Sequence, residues 1–434
     1  MRRLGIAVLV AVLGLGGVLV WPATAVGAAE HDGSDVSVTR YGGADRYETS
    51  LRIAEAVAAE AGGSLSSAVL VSGERWTDAV VAAPVAGALG AAVLMTPPGE
   101  LRGDALAFLE RVGVTSVVVI GPDASGGEHG PGRGVRGAVL EALEDAGISA
   151  ERIAGGDRFG TGVAAAGRLT PGDMGDLGRT AIIASADVFA DALVAGPFAA
   201  RGEHPVLLSA SDELHPDVEG YLSAEGVSHV VLMGGTAALS DAVESSVTGL
   251  GVSVTRIAGR TRYDTAVKAA ELVTGRYTDA AGQPCFAAST TGLARARVPF
   301  DSLGAAPLLS RLCAPLVLAD PGQIPPDTAA YLDAAREAND AVDLRVFGGN
   351  AAVSGAAIDA YLSGEEDDAE EASQAEEAGE NGESDDAETV GLASGACGGS
   401  ADDEPRALTM DDDSEDPAWS PDCSRIVFSR DGSL

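Results

Sequence analysis

The chain has 434 residues, with 65 acidic against 28 basic side chains and a net charge of −37. That length allows two to four domains and a sizeable core. The acidic field repels bare nucleic acid and anionic lipid, so neither nucleic acid nor a polybasic membrane contact is an expected partner.

At the N-terminus Arg2 and Arg3 precede an apolar run from Leu4 to Trp21, followed by the small-residue sites Ala23-Thr24-Ala25 and Val26-Gly27-Ala28. These are the features of a secretory signal over residues 1–28. An uncleaved anchor would use the same run, which just reaches spanning length. Gly14, Gly16 and Gly17 weaken such a helix, so cleavage is expected. Either way the remainder is extracytoplasmic, and no membrane contact is expected once the signal is gone.

The next segment, Arg40 to Thr49, recurs from Arg152 to Thr161 and again from Arg256 to Thr265, with the shared pattern R-x-x-G-x-[DT]-R-[YF]-x-T. Three landmarks follow in the same order in each copy. Asp78, Asp191 and Asp301 each stand six residues before a proline. A short apolar run comes next: Ala92 to Met95, Pro205 to Leu208, Pro315 to Leu318. A second apolar run ends in glycine at Gly121, Gly234 and Gly348. We read three homologous repeats over residues 36–149, 150–253 and 254–363.

Within a repeat, apolar runs of four to six residues alternate with Ala-rich amphipathic stretches such as Tyr263 to Gly275, the spacing of helices between buried parallel strands. The expected fold class is α/β: three tandem three-layer α/β modules with parallel sheets. In each copy the arginine-and-glycine segment leaves a strand and enters a helix that the Asp or Thr can cap. Arg46, Arg158 and Arg262 then stand in a first helical turn, where an arginine fork suits phosphate or carboxylate. The other reading pairs these arginines with Asp78, Asp191 or Asp301 inside the protein.

Export permits disulfides. Cys285 opens the apolar run Cys285 to Ala288, and Cys313 directly precedes Ala314 to Leu318. If those runs are neighbouring parallel strands, both cysteines lie at one end and a bridge between them is geometrically allowed.

The triple opening motif, the segments Trp76 to Val80 and Phe189 to Leu193, the Pro-Val-Leu-Leu run and the Gly-Gly ending together resemble the cell wall binding repeat type 2 family. The resemblance covers residues 38 to about 363. It implies a pseudo-threefold unit that attaches non-covalently to anionic polymers of a Gram-positive wall, hence a secreted protein of the cell wall or cell surface. It also implies ligand contacts along the Pro-x-Leu-Leu runs, which map to Pro205, Leu207 and Leu208 and to Pro315, Leu316 and Leu318; Ala92 replaces the proline in the first copy. Departures are the ending Gly121-Pro122-Asp123 in the first repeat and, in the third, Thr261 in place of aspartate. The third also carries an aromatic shifted by one at Phe300, after what reads as an insertion from Ala294 to Arg297.

No catalytic set emerges. Gly132 to Gly137 fits G-x-G-x-x-G but stands eleven residues beyond the preceding apolar run, too far for a dinucleotide turn. The five histidines lack metal-ligand spacing, and no cofactor or metal is expected. Asp78, Asp191 and Asp301 could act as general bases, yet no nucleophile repeats with them. The competing functions are a secreted cell-wall hydrolase or glycan-processing enzyme, and a protein-interaction scaffold.

Residues 365–416 hold 21 acids and one base. We read 364–408 as a disordered acidic linker. Residues 409–434 resemble one strand pair of a TolB-like propeller repeat, with Ile426 and Phe428 alternating on a strand. That hairpin would be a fragment, since a propeller needs about four or more blades to close.

Overall fold

The computed structural model describes residues 36–123, 133–278, 282–364, 415–419 and 426–429. The expected signal segment, residues 1–28, and residues 365–408 of the expected acidic linker lie outside the described residues.

The first part of the body runs β1 (Val36–Tyr41), α1 (Arg46–Glu60), β2 (Ser67–Ser72), α2 (Trp76–Leu89), β3 (Ala92–Thr96), α3 (Gly103–Val112), β4 (Ser116–Ile120), α4 (Gly137–Asp145) and β5 (Ser149–Ile153). The second follows as α5 (Arg158–Ala166), β6 (Thr180–Ser185), α6 (Phe189–Gly202), β7 (Val206–Ser209), α7 (Pro216–Ala224), β8 (His229–Met233), α8 (Asp241–Gly249) and β9 (Ser253–Ile257). The third comprises α9 (Arg262–Val273), β10 (Thr290–Arg295), α10 (Ala305–Arg311), β11 (Leu316–Ala319), α11 (Pro326–Ala338), β12 (Val342–Phe347) and α12 (Gly355–Ser363).

These strands build three all-parallel four-stranded sheets, ordered β3-β2-β4-β5, β7-β6-β8-β9 and β11-β10-β12-β1. The fold class is therefore three α/β modules with parallel sheets. Strands β3, β6, β7, β8 and β11 are buried throughout because both faces of the sheet are covered there, whereas β5, β9 and β1 at the opposite edges keep exposed polar residues such as Glu151, Ser253 and Ser37. In the second sheet Ile183, Leu207 and Leu232 face a core shared with Val218 and Leu222 of α7 and with Val243 and Val247 of α8. Their neighbours Ile182, Leu208 and Met233 face the large central core.

That central core is organised by α2, α6 and α10, which pack on one another. In α2 every residue from Thr77 to Ala86 is buried. A helix with no polar face is a buried helix, which is why these segments lack an amphipathic pattern. Small residues let the backbones approach: a side chain on Gly87 would collide with the backbone at Ala200, and one on Gly196 would lie 2.9 Å from the Ala306 methyl.

The sequence repeat and the sheet are offset by one strand. β5 pairs with β4, and the helix that follows it, α5, packs against β7 of the next sheet. β9 and α9 repeat the step. β1, the first strand of the body, pairs along its whole length with β12, from Val36 opposite Val342 to Tyr41 opposite Phe347. The chain thus closes the three modules into a ring by returning its first strand to its last sheet.

The run opened by Cys285 is not a strand. Phe286 and Ala288 adopt φ of 60° and 62°, which breaks extension, and β10 starts only at Thr290. Cys285 and Cys313 are nonetheless joined by a disulfide, with Cα atoms 4.7 Å apart. Nor is Ala294 to Arg297 an insertion, for Ala294 and Arg295 end β10 and Asp301 keeps the spacing of Asp78 and Asp191 from the strand before it.

A second unit contains β13 (Glu415–Trp419) and β14 (Ile426–Ser429), which pair antiparallel.

Candidate functional site

The opening motif is a joint that hands the chain from one sheet to the next module, and each of its residues has a position-specific task. Its first arginine reaches the carbonyl of the glycine ending the neighbouring strand: Arg40 Nη1 to Gly348 O at 3.1 Å, Arg152 Nη1 to Gly121 O at 2.9 Å, Arg256 Nη1 to Gly234 O at 3.1 Å. The motif glycine lies against the helix that follows, where a side chain on Gly43, Gly155 or Gly259 would strike the backbone at Thr49, Thr161 or Thr265. Its N–H donates to the hydroxyl of that same threonine, at 2.9, 3.1 and 2.9 Å. Asp45, Asp157 and Thr261 cap α1, α5 and α9, accepting from the amides of Glu48, Gly160 and Asp264. The cap satisfies one of the orphan amides of the first turn.

The second motif arginine donates to the carbonyl directly past the central strand of its own module: Arg46 to Gly73 at 2.8 Å, Arg158 to Ala186 at 3.0 Å, Arg262 to Ala296 at 2.7 Å. Arg46 also lies over the Phe300 ring of the third module, 4.0 Å from its centroid, a cation–π contact across the ring closure. Burial raises the Asp301 carboxyl and the charge of Arg46 offsets part of that rise, as Arg262 does for Asp191. Asp78 departs from this scheme, being paired instead with Arg75 at 2.9 Å. Arg158 pairs outward, with Asp187 at 2.9 Å.

Asp78 and Asp191 are buried, and Asp301 is half-buried. Each is pressed against the glycine ending the third strand of its module. Gly121, Gly234 and Gly348 have φ of 114°, 115° and 101°, and a side chain there would collide with the carboxylate. Burial pushes the Asp78 and Asp191 carboxyls up to about 6 and raises that of Asp301. Around these acids stand half-buried aromatics, Trp76, Phe189 and Phe300; Trp76 and Phe189 meet edge to face at 6.3 Å.

The Pro-x-Leu-Leu runs are not at the surface. Pro205, Leu207, Leu208, Pro315, Leu316 and Leu318 are all buried, in or directly before the edge strands β7 and β11. Each proline spends its carbonyl on the central strand, accepting from Ile182 and Gly292 at 2.8 Å. Its missing N–H is tolerated at the start of an edge strand. These side chains are packed into the interior in this structure.

The sequence reading missed Arg260 and Arg297, which lie beside Arg262 and project into solvent. Their signal was available in the comparison of repeats, where they occupy positions that are uncharged or acidic in the other two copies. Among the described residues, no group of three or more His, Cys, Asp and Glu side chains is placed to hold a metal, and no helix is long and apolar enough to cross a membrane.

The model of the family described as Cell wall binding domain 2 matches residues 40–127, 152–244 and 256–358. An N-acetylmuramoyl-L-alanine amidase LytC of Bacillus subtilis is 30% identical over 233 residues, 54% of this chain and 42% of the relative. An amidase enhancer of the same organism is 29% identical over 233 residues, 54% of this chain and 29% of the relative. The chain thus spans less than half the length of these curated relatives. Among solved structures, Cwp8 and Cwp6 from Clostridium difficile are similar in fold, with TM-scores of 0.60 and 0.59 at 22% identity. The similarity covers 75% and 72% of this chain, and 51% and 46% of theirs. The propeller-like reading of residues 409–434 finds no support in these comparisons, which match the family only as far as residue 358.

Proposed function

The chain belongs to the Cell wall binding domain 2 family, and from that premise we propose that it is an exported, non-catalytic anchor, held non-covalently by anionic polymers of a Gram-positive wall. Binding to the cell wall is the family's property, whereas export, the polymer and the lack of catalysis are the proposal. One observation carries it: the matched repeats run from residue 40 to residue 358 of a body described from 36 to 364, so binding repeats make up that body.

The arginines of the joints supply the cationic element that an acidic protein needs to meet an anionic polymer. The Pro-x-Leu-Leu runs contribute indirectly, by fixing the edge strands on which α5 and α9 rest. The three repeated acids, the best general-base candidates, are pinned against glycines, Asp78 and Asp191 in the interior and Asp301 half-buried, which favours binding over hydrolysis. Amidase activity stays with the relative that bears the name, most of whose length lies outside the match.

The test is co-sedimentation of the full chain with deproteinised Gram-positive walls, before and after extraction of their anionic polymers. Binding that disappears with the polymers is the expected result. Binding unaffected by extraction would reject the polymer, and turnover of purified wall would reject the non-catalytic reading.

A further inference from the structure

The three repeats place equivalent residues at equivalent points, so charge can be compared position by position around the ring. Four such positions are the residue after the motif glycine, the helix cap, the second motif arginine and the second residue past the central strand. They read Ala44, Asp45, Arg46, Glu74 in the first repeat and Gly156, Asp157, Arg158, Asp187 in the second. In the third they read Arg260, Thr261, Arg262, Arg297. The first two sets carry one net negative charge each, and the third carries three positive charges.

Flanking charges narrow this contrast but do not remove it. Asp104, Asp217 and Asp327 occupy one equivalent position at the start of α3, α7 and α11. The first repeat adds Glu48 and Arg102, the second His215, and the third Asp264 and Asp320. With these included, and His215 neutral, the third site is neutral and the other two remain acidic.

Exposure then decides what a ligand meets. The side chains of Arg260 and Arg297 are 86% and 68% exposed, while the carboxylates paired with their guanidinium groups, Asp327 at 3.7 Å and Asp320 at 3.3 Å, are only 26% and 16% exposed. The acids lie beneath and the guanidinium groups project. In the second repeat the order is reversed: Arg158 is covered by Asp187, the more exposed of that pair. In the first, Asp45 is more exposed than the Arg102 that pairs with it.

We infer that the third repeat, through Arg260 and Arg297 beside Arg262, is the dominant contact for the repeating anionic groups of the wall polymer, phosphodiester or carboxylate, and that the first two equivalent sites are electrostatically closed to it. This rests on the anchor reading above. Several guanidinium groups fixed side by side suit a chain that presents one anion after another, and they form charge-assisted forks with either anion.

The experiment uses the full chain, its Arg260→Gln/Arg297→Gln double variant, and Arg111→Gln as a control that removes an exposed arginine paired with Glu55 elsewhere. Circular dichroism and melting confirm that the folds match. Affinity is measured for deproteinised walls, for immobilised polyglycerol phosphate and for polygalacturonate, across a salt series. The double variant is expected to bind walls at least tenfold more weakly. On polyglycerol phosphate the slope of log affinity against log salt should become shallower by about 0.7 per arginine removed, by analogy with single-stranded nucleic acid. The control should bind as the parent does. Loss confined to polyglycerol phosphate identifies phosphodiester as the recognised group, and loss confined to polygalacturonate identifies carboxylate. A double variant that binds as tightly as a binding parent overturns the inference and leaves the anchor reading intact. A parent that binds no wall overturns both.

Discussion

Asp191 shows what the interior does to a repeated acid. Burial raises its carboxyl to about 6 in the folded chain, against about 3.9 when unfolded, so the folded state binds the proton more tightly. The sign follows: ionised Asp191 weakens folding above pH 6, and stability is regained as pH falls through 6 toward 4. Asp191→Asn should be more stable than the parent by about 2–3 kcal/mol at pH 7.5, an advantage that shrinks by about 2 kcal/mol at pH 4.5. Urea titrations of both proteins at the two pH values check this. An advantage independent of pH would mean that the carboxyl titrates normally. Taking the difference cancels His204, whose ring burial holds down to about 4 and which pulls the other way on acidification. At this scale the sequence was legible only in part. It marked Arg46, Arg158 and Arg262 as special, but an arginine that binds a carbonyl and one that faces a ligand have the same signature in a repeat. Arg260 and Arg297 escaped because a search for repeats rewards likeness, and their meaning lies in being different.

Between elements, the transfer of one strand to the preceding sheet is the main device. Tyr41 at the end of β1 stacks on Phe347 of β12 at 5.5 Å, and its hydroxyl accepts from Arg345 at 2.8 Å. Tyr41→Ala should cost about 3 kcal/mol or more, read as a lower urea midpoint. A midpoint unchanged within error would show that this strand does not secure the third sheet. The alternation of apolar runs and helical stretches made the parallel sheets readable, since strands covered on both faces are apolar throughout. The offset was not readable. Nothing local in Val36 to Tyr41 tells it to pair some 300 residues away. The Cys285 run misled for a different reason: it is apolar because it is buried, while its backbone turns at Phe286 and Ala288. The disulfide closing that segment, between cysteines 28 positions apart in sequence, restricts the unfolded chain by about 3–4 kcal/mol.

Across the body as a whole, three modules share one central core and one closure, so they stand or fall together. Calorimetry of the intact chain should show a single transition for residues 36–364, with the calorimetric and van't Hoff enthalpies equal. Separate transitions for the repeats would refute this coupling. The three repeats could be counted from the sequence with ease, and the family resemblance implied a pseudo-threefold unit. What the sequence did not disclose is that the ring is sealed by pairing β1 with β12. A closed ring of this kind has no privileged beginning. Val36 and Tyr361 belong to the same small core, so the start and finish of the body meet in the third module. A gene rearranged to join residue 364 to residue 36 by a short linker, with new termini opened between β4 and α4, would encode the same set of contacts in a different order. For this body, which repeat comes first is a matter of genetic bookkeeping and not of architecture.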